Sequence, residues 1–441
     1  MPDVDFVPSG SVLYRSPGDR YPLAVSASGM VITDSSGKDY LDMSGGAAVS
    51  ILGHGHPEVI AAIRDQLETL AFAHTAFFTN GPQERLAALL AARFGEPGAR
   101  VYFASGGSEA NETALKLAWQ YWAARGQPAR KVIISREHSY HGNTFGALSV
   151  SGNRGRRRAS AAPLVDWPRI PPCYEYRERE SGESIEQYAI RAADVLETAI
   201  LECGAERVAA FICEPIVGSS LGVVPAEKGY LRRIREICDC YDVLFIADEI
   251  MCGSGRTGRY FAHAHDDVLP DVVTLAKGIG GGYMPLAAVV VRQCVYGHLE
   301  RSGFVHGHTY VGHAAACAAG TAVMGVIERN RLLERTETLG ASFRAALDEA
   351  FREHPYVGDI RCRGLFAGIE LVADRASRHG FADAGYLPGE LRAAALERGL
   401  ICYPGGIEVD GRTVPHIMLA PPMIVSESQI GDCIERLTAA I

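Results

Sequence analysis

Residues 243–250, VLFIADEI, and residues 272–282, VVTLAKGIGGG, decide the fold of this chain. Each is a short apolar run that stops at a charged side chain, Asp248 in the first and Lys277 in the second. A strand buried on both faces reads as a continuous apolar run of this kind. Such runs alternating with helical patterns build a mostly parallel α/β sheet. Three similar segments precede them: Val101–Ala104 running into SGGSEAN, Lys131–Ser135 running into REHSYHG, and Arg207–Cys213 ending at Glu214-Pro215. In open α/β sheets, ligands bind in the crevice outside the carboxyl ends of the strands. A glycine-serine turn, an aromatic, two acids and a lysine are therefore expected to converge on one pocket.

Outward from this centre, strands and amphipathic helices alternate from His56 to about Arg329. Before them, VITDSSGKDYLDM reads as a β-hairpin around a Ser-Ser-Gly turn. After Asn330 come a helical stretch, RLLERTETLGASFRAALDEAF, and strand-like runs near Ile360–Arg363 and Phe366–Val372. The expected organisation is a large domain over 56–330 and a smaller α+β domain. The latter is built from 331–441 together with the N-terminal segment 1–55.

At 441 residues, 47% hydrophobic and 22% charged, the composition is that of an ordinary globular protein. The net charge of −9 argues against a nucleic-acid partner, which calls for a basic surface. The local exception, RGRRR at 154–158, reads as a solvated loop, with an anion or partner contact as the other reading. The opening MPDVDFVPSG has no secretory pattern. Apolar runs such as Leu286–Val291 are far shorter than the roughly 20 residues of a membrane span. The 11 scattered cysteines, with Cys238 and Cys240 in an expected helix, read as reduced thiols of a cytoplasmic protein.

The strand ends carry the chemistry. In SGGSEAN the glycines let backbone approach a ligand, and Ser108 opens a helix whose free N–H groups favour an anion such as phosphate. An ordinary serine cap is the plainer reading. A carboxylate at Asp248, at the mouth of a buried strand, needs a compensating cation, either a ligand's ring nitrogen or an internal arginine. Lys277, between apolar Leu-Ala and a glycine run, suits an amine kept reactive near a carbonyl, whereas a lone lysine at a strand end is usually just solvated. Tyr140 could stack on a flat ligand or simply pack. His141, His306, His308 and His313 lack cysteine or carboxylate companions at ligand spacing, so no metal site is expected.

Together these residues resemble the class III aminotransferases, a branch of the fold-type-I pyridoxal-phosphate enzymes. The motifs are SGGSEAN, SYHG, CEPIVG, ADEIMCGSGRTG, LAKGIGGGYMPLAA and GHTYVGH, and the likeness runs from LDMSGGAAVSILGHGHPEV to LAPPMIV. The resemblance implies a mostly parallel seven-stranded sheet flanked by helices, and pyridoxal 5'-phosphate as cofactor. It implies that Gly107 and Ser108 bind the cofactor phosphate, that Tyr140 and Ile250 cover the two ring faces, and that Asp248 pairs with the ring nitrogen. Lys277 is implied to carry the cofactor as a Schiff base, with Glu214 near its substrate side. Thr309 is implied to reach the phosphate of the neighbouring subunit, which makes the enzyme a homodimer with shared active sites. The implied reaction is transamination between an amine or ω-amino compound and a keto acid such as pyruvate or 2-oxoglutarate. Decarboxylation, racemisation, aminomutase and phospholyase chemistry remain alternatives on the same scaffold. A silent binding protein on this fold is the reading from outside enzymology, and the intact Lys277, Asp248 and Ser108 speak against it.

Two positions depart from the family pattern. Where some members carry a carboxylate-gripping arginine before the APP motif, this chain has Met418, and where others carry a mobile arginine it has Tyr403. Arg412, in EVDGRTVPH, is a candidate replacement, although a surface arginine is the plainer reading. Ala47 and Ala48 stand where some relatives have a bulky aromatic. Phe77 and Phe78 are candidates to line the pocket of the partner subunit, or to pack in the core.

Overall fold

Four strands whose every residue is buried form the middle of a seven-stranded sheet: Val208–Cys213, Leu244–Asp248, Val272–Leu275 and Ala287–Val291. Strands enclosed on both faces have no polar alternation to keep, which is why they read as unbroken VAAFIC, LFIA, VVTL and AAVVV. The computed structural model describes residues 12–16 and 21–441. The stretch read for a secretory pattern, and part of the 1–55 segment, lie outside the described residues.

The sheet order is Arg100–Ala104, Ala287–Val291, Val272–Leu275, Leu244–Asp248, Val208–Cys213, Val132–Arg136 and Arg169–Ile170. Ala287–Val291 runs antiparallel to both its neighbours, while the remaining pairs are parallel. The Leu286–Val291 run, considered only as too short for a membrane span, is thus a central strand. No helix among the described residues is long and apolar enough to cross a membrane.

Helices cover both faces. Gly107–Ala124 lays Ala110, Ala114, Leu117, Ala118, Tyr121 and Trp122 on the sheet, and the Trp122 indole N–H donates to the Ala209 carbonyl at 2.8 Å. Ile185–Cys203 starts at a reciprocal cap between Ser184 and Gln187 and buries Tyr188, Ala189, Ala193, Leu196 and Ile200 along one stripe. Cys238 and Cys240 lie in the Tyr230–Cys240 helix, and the cysteines are free thiols.

Beyond Arg331, whose φ of 50° ends the preceding helix, Leu332–Phe351 packs on a four-stranded antiparallel sheet. That sheet runs Val357–Cys362, Ala367–Leu371, Arg412–Leu419, Tyr403–Val409. At the other end of the chain, Val31–Asp34 and Asp39–Asp42 form the expected hairpin, its turn held by the Asp34 carboxylate accepting from Ser36 and Lys38. The hairpin joins the C-terminal region through parallel pairing of Leu41 with Leu400 and Asp42 with Ile401.

The RGRRR segment is not a loop. It forms the short helix Arg154–Ala159, whose start is capped by the Asn153 side chain accepting from the Arg156 N–H at 3.1 Å.

Candidate active site

Parallel strands bring their carboxyl ends to one edge of the sheet, so residues just past the end of one strand meet those just past the end of the next. Cys213 lies beside Ala247, and Asp248 beside Thr274. Glu214, Asp248 and Lys277, each at or just past a strand end, consequently line one cavity. Gly107, Ser108, Tyr140, His141, Gly142, Ile216, Ile250 and Met251 complete it.

The phosphate-sized end is built from SGGSEAN. The helix Gly107–Ala124 begins without a side-chain cap, so its first-turn N–H groups face the cavity mouth. A Cβ on Gly107 would stand 2.8 Å from the Ile250 side chain, closer than a methyl group can come, so glycine keeps this floor open. The Ser108 hydroxyl accepts from the Asn143 N–H at 3.0 Å and keeps its own proton to give.

Asp248 is almost fully buried, yet among the described residues no arginine pairs with it. Its Oδ2 accepts from Asn111 at 2.7 Å and faces His141 Nδ1 at 2.8 Å, and its Oδ1 accepts from the Ile250 N–H at 3.0 Å. The His141 tautomer with its proton on Nδ1 is the one that donates to this carboxylate. Asn111 is fixed in turn by Thr274, whose hydroxyl donates to its Oδ1 at 2.9 Å.

The Lys277 backbone sits in the left-handed region, φ 51°, a strained setting for a residue with a Cβ. Burial pulls its ammonium below the ordinary lysine pKa, while the charges of Asp248 and Glu214 pull it back up. Glu214, also buried, is raised to about 7 by burial first and by the Asp248 charge, against the lowering influence of His141 and Arg136. Its turn is anchored by Arg136, which donates to the Glu214 carbonyl. Glu214 Oε2 and His141 Nε2 are buried without a hydrogen-bond partner among the described residues. Orphaned polar atoms of this kind at a cavity wall are what a polar ligand satisfies.

Behind the cavity, Ile216 and Met251 belong to an apolar cluster with Ala47, Ala48, Met418 and Tyr403. Gly45–Ala48 is a left-handed turn with φ of 53°, 61°, 65° and 65°. Met418 is fully buried there, opposite Tyr403 across the hairpin. Arg412 starts the same strand at the far end, opposite Val409, about 20 Å away along extended chain. It approaches the Gly380 carbonyl at 3.5 Å and does not reach the cavity.

Thr309 and Phe78 are exposed and also lie off this cavity. Each neighbours in sequence an exposed aromatic, Phe77 or Tyr310, and the rings of Phe72 and Tyr310 lie 5.7 Å apart on this surface.

Sequence reasoning passed over Asn111 and used His141 only as a metal candidate. Among the described residues no group of three or more His, Cys, Asp or Glu is placed to hold a metal ion. His141 serves Asp248, and His306 contacts the Thr113 hydroxyl at 2.8 Å. The signal for Asn111 was present: it lies one helical turn beyond Gly107, on the same helix face.

Set beside known proteins, residues 15–441 match the family described as aminotransferase class-III. The chain is 39% identical to an uncharacterized aminotransferase of Schizosaccharomyces pombe, over 98% of this chain and 94% of that one. It is 35% identical to the putrescine–pyruvate aminotransferase of Pseudomonas aeruginosa, over 95% and 91% of the two chains. Among solved structures, the ω-transaminase from Pseudomonas jessenii in complex with PMP aligns with a TM-score of 0.88 and 34% identity, over 95% of this chain and 92% of that one. The residues around the cavity suit that chemistry: an open helix start for a phosphate, a buried carboxylate for a cationic ring, and a recessed amine for an aldehyde. The chain belongs to the class III aminotransferases, enzymes that use pyridoxal 5'-phosphate to move an amino group between an amine and a keto acid.

Proposed function

We propose that this enzyme takes the amino group of a primary amine or ω-amino compound and delivers it to a small keto acid such as pyruvate or 2-oxoglutarate, working as a homodimer. The observation that carries the site assignment is that the Asp248 carboxylate and the Lys277 amine line the same cavity. Gly107 and Ser108 would hold the cofactor phosphate, Tyr140 and Ile250 its ring faces, Asp248 its ring nitrogen and Lys277 its aldehyde carbon. When bound, pyridoxal phosphate supplies an electrophilic carbon for the amine and a cationic ring that accepts the electron pair released at the substrate carbon.

The chain's own residues do the rest. Lys277 would hold the cofactor and, as a free amine, would take the proton from the substrate carbon that bears the nitrogen and give it back to the carbon on the other side of that nitrogen. It can accept that proton because burial favours its neutral form. Asp248, its carboxylate oriented by the donors of Asn111, His141 and Ile250, would hold the proton on the ring nitrogen opposite it. Glu214, poised near neutrality, supplies a polar boundary on the substrate side.

The test is a half-reaction. The holoenzyme, mixed with a primary amine in the absence of acceptor, is expected to lose the visible absorbance of its cofactor, and pyruvate or 2-oxoglutarate is expected to restore it. Absorbance that stays unchanged across a panel of mono- and diamines would overturn the donor class.

The dimer reading is supported by the exposed apolar side chains of Phe72, Phe77, Phe78 and Tyr310, which a homodimer would cover. Thr309 stands beside Tyr310, suited to enter the phosphate site of the partner subunit. Light scattering is expected to give twice the mass of one chain, and a monomer at micromolar concentration would end this part of the proposal.

A further inference from the structure

Met418 and Tyr403 carry no charge to offer a keto-acid carboxylate. Among the described residues, three buried arginines already hold partners. Arg136 is buried on the Glu214 carbonyl, Arg256 holds the carbonyls of Leu365 and Pro421, and Arg361 is paired with Glu370 and Asp359.

The helix Arg154–Ala159 is different. Arg157 pins it in place, donating to the Leu148 carbonyl at 3.0 Å, the Ser149 carbonyl at 2.7 Å and the Asp166 carboxylate at 3.0 Å. With that side chain fixed, its neighbours point to two sides. Arg154 and Arg158, one turn apart, face the cleft toward Gly406 and Thr413. Arg156 points the other way and lies over the ring of Tyr140, 4.6 Å from its centroid. Tyr140 lines the cavity. Among the described residues Arg156 makes no ion pair and no side-chain hydrogen bond, and it is exposed.

From this geometry we propose that Arg156 is the residue that recognises the substrate carboxylate. The inference rests on the transaminase reading above and adds the specificity-determining side chain. The planar guanidinium offers two parallel N–H donors to a carboxylate, a match an ammonium does not reproduce. A cation–π contact at an exposed site is weak, so Arg156 rests on Tyr140 while a substrate without an acid group is bound and leaves it when a carboxylate enters. One cavity thereby accepts both an uncharged amine substituent and a keto acid without an arginine in its wall.

The test uses the holoenzyme and the substitutions Arg156→Ala, Arg156→Lys and Arg158→Ala. Three quantities are measured: the KM for pyruvate, the calorimetric Kd for propionate, and the rate at which a carboxylate-free primary amine bleaches the bound cofactor. Arg156→Ala is expected to raise both the KM and the Kd by roughly ten- to a hundredfold, the range of a charge-assisted bidentate pair. Its amine-driven bleaching is expected to stay within about threefold, and Arg156→Lys to recover part of the loss. Arg158→Ala is expected to leave both constants within about threefold, which separates a local contact from the general field of the arginine helix. Wild-type constants in Arg156→Ala overturn the proposal, as does equal weakening in Arg158→Ala. Failure of wild-type enzyme to be bleached by any amine would strike at the transaminase reading instead, while the propionate measurement stands independently of turnover.

Discussion

Replacing Lys277 with alanine is expected to lower kcat by at least about 10⁴-fold, because under the proposed assignment one side chain would supply both the covalent anchor and the proton shuttle. The substitution keeps a Cβ in the left-handed backbone setting, so the strain at φ 51° is unchanged and the fold should persist. A second readout does not depend on turnover. Borohydride treatment of the wild-type holoenzyme should attach the cofactor irreversibly to the peptide containing Lys277, and the alanine variant should show no such adduct by mass spectrometry. Added methylamine should restore part of the activity by replacing the missing amine in solution. A variant with wild-type turnover, or an adduct on another lysine, would remove Lys277 from its assigned role.

Asp248→Asn should cost about two to four orders of magnitude in kcat, from the roughly 3–5 kcal/mol lost when one partner of a buried pair is neutralised. Geometry adds to charge. Both carboxylate oxygens receive donors, Oδ2 from Asn111 and His141 and Oδ1 from the Ile250 N–H. An asparagine in that place must turn its own NH₂ against one of them. The pH profile gives the distinguishing readout. Without the carboxylate, the ring nitrogen keeps its proton only in more acidic solution, so the residual activity of the variant should rise as pH falls while the wild-type enzyme gains nothing. A flat profile with undiminished kcat would show that Asp248 is structural only.

Much of the site was legible because a parallel sheet turns sequence order into spatial neighbourhood. Once Val208–Cys213, Leu244–Asp248 and Val272–Leu275 are recognised as adjacent buried strands, Glu214, Asp248 and Lys277 must emerge along one edge. Gly107 and Ser108 were readable for a similar reason, since a glycine turn opening a helix is a local signature. The antiparallel Ala287–Val291 strand escaped notice because a short apolar run carries no mark of its direction.

The amino-acid sequence by itself pointed to a mostly parallel sheet and to the residues at its strand ends through local periodicity, and to the family through its motifs. Tertiary structure alone decided the rest. It placed His141 and Asn111 on Asp248, closed Met418 into an apolar cluster, left Arg412 at the wrong end of its hairpin, and set Arg156 on Tyr140. These contacts join separate segments of the chain, and a side chain's partner across such a gap is fixed by how helices and sheets pack, which no local pattern of residues encodes.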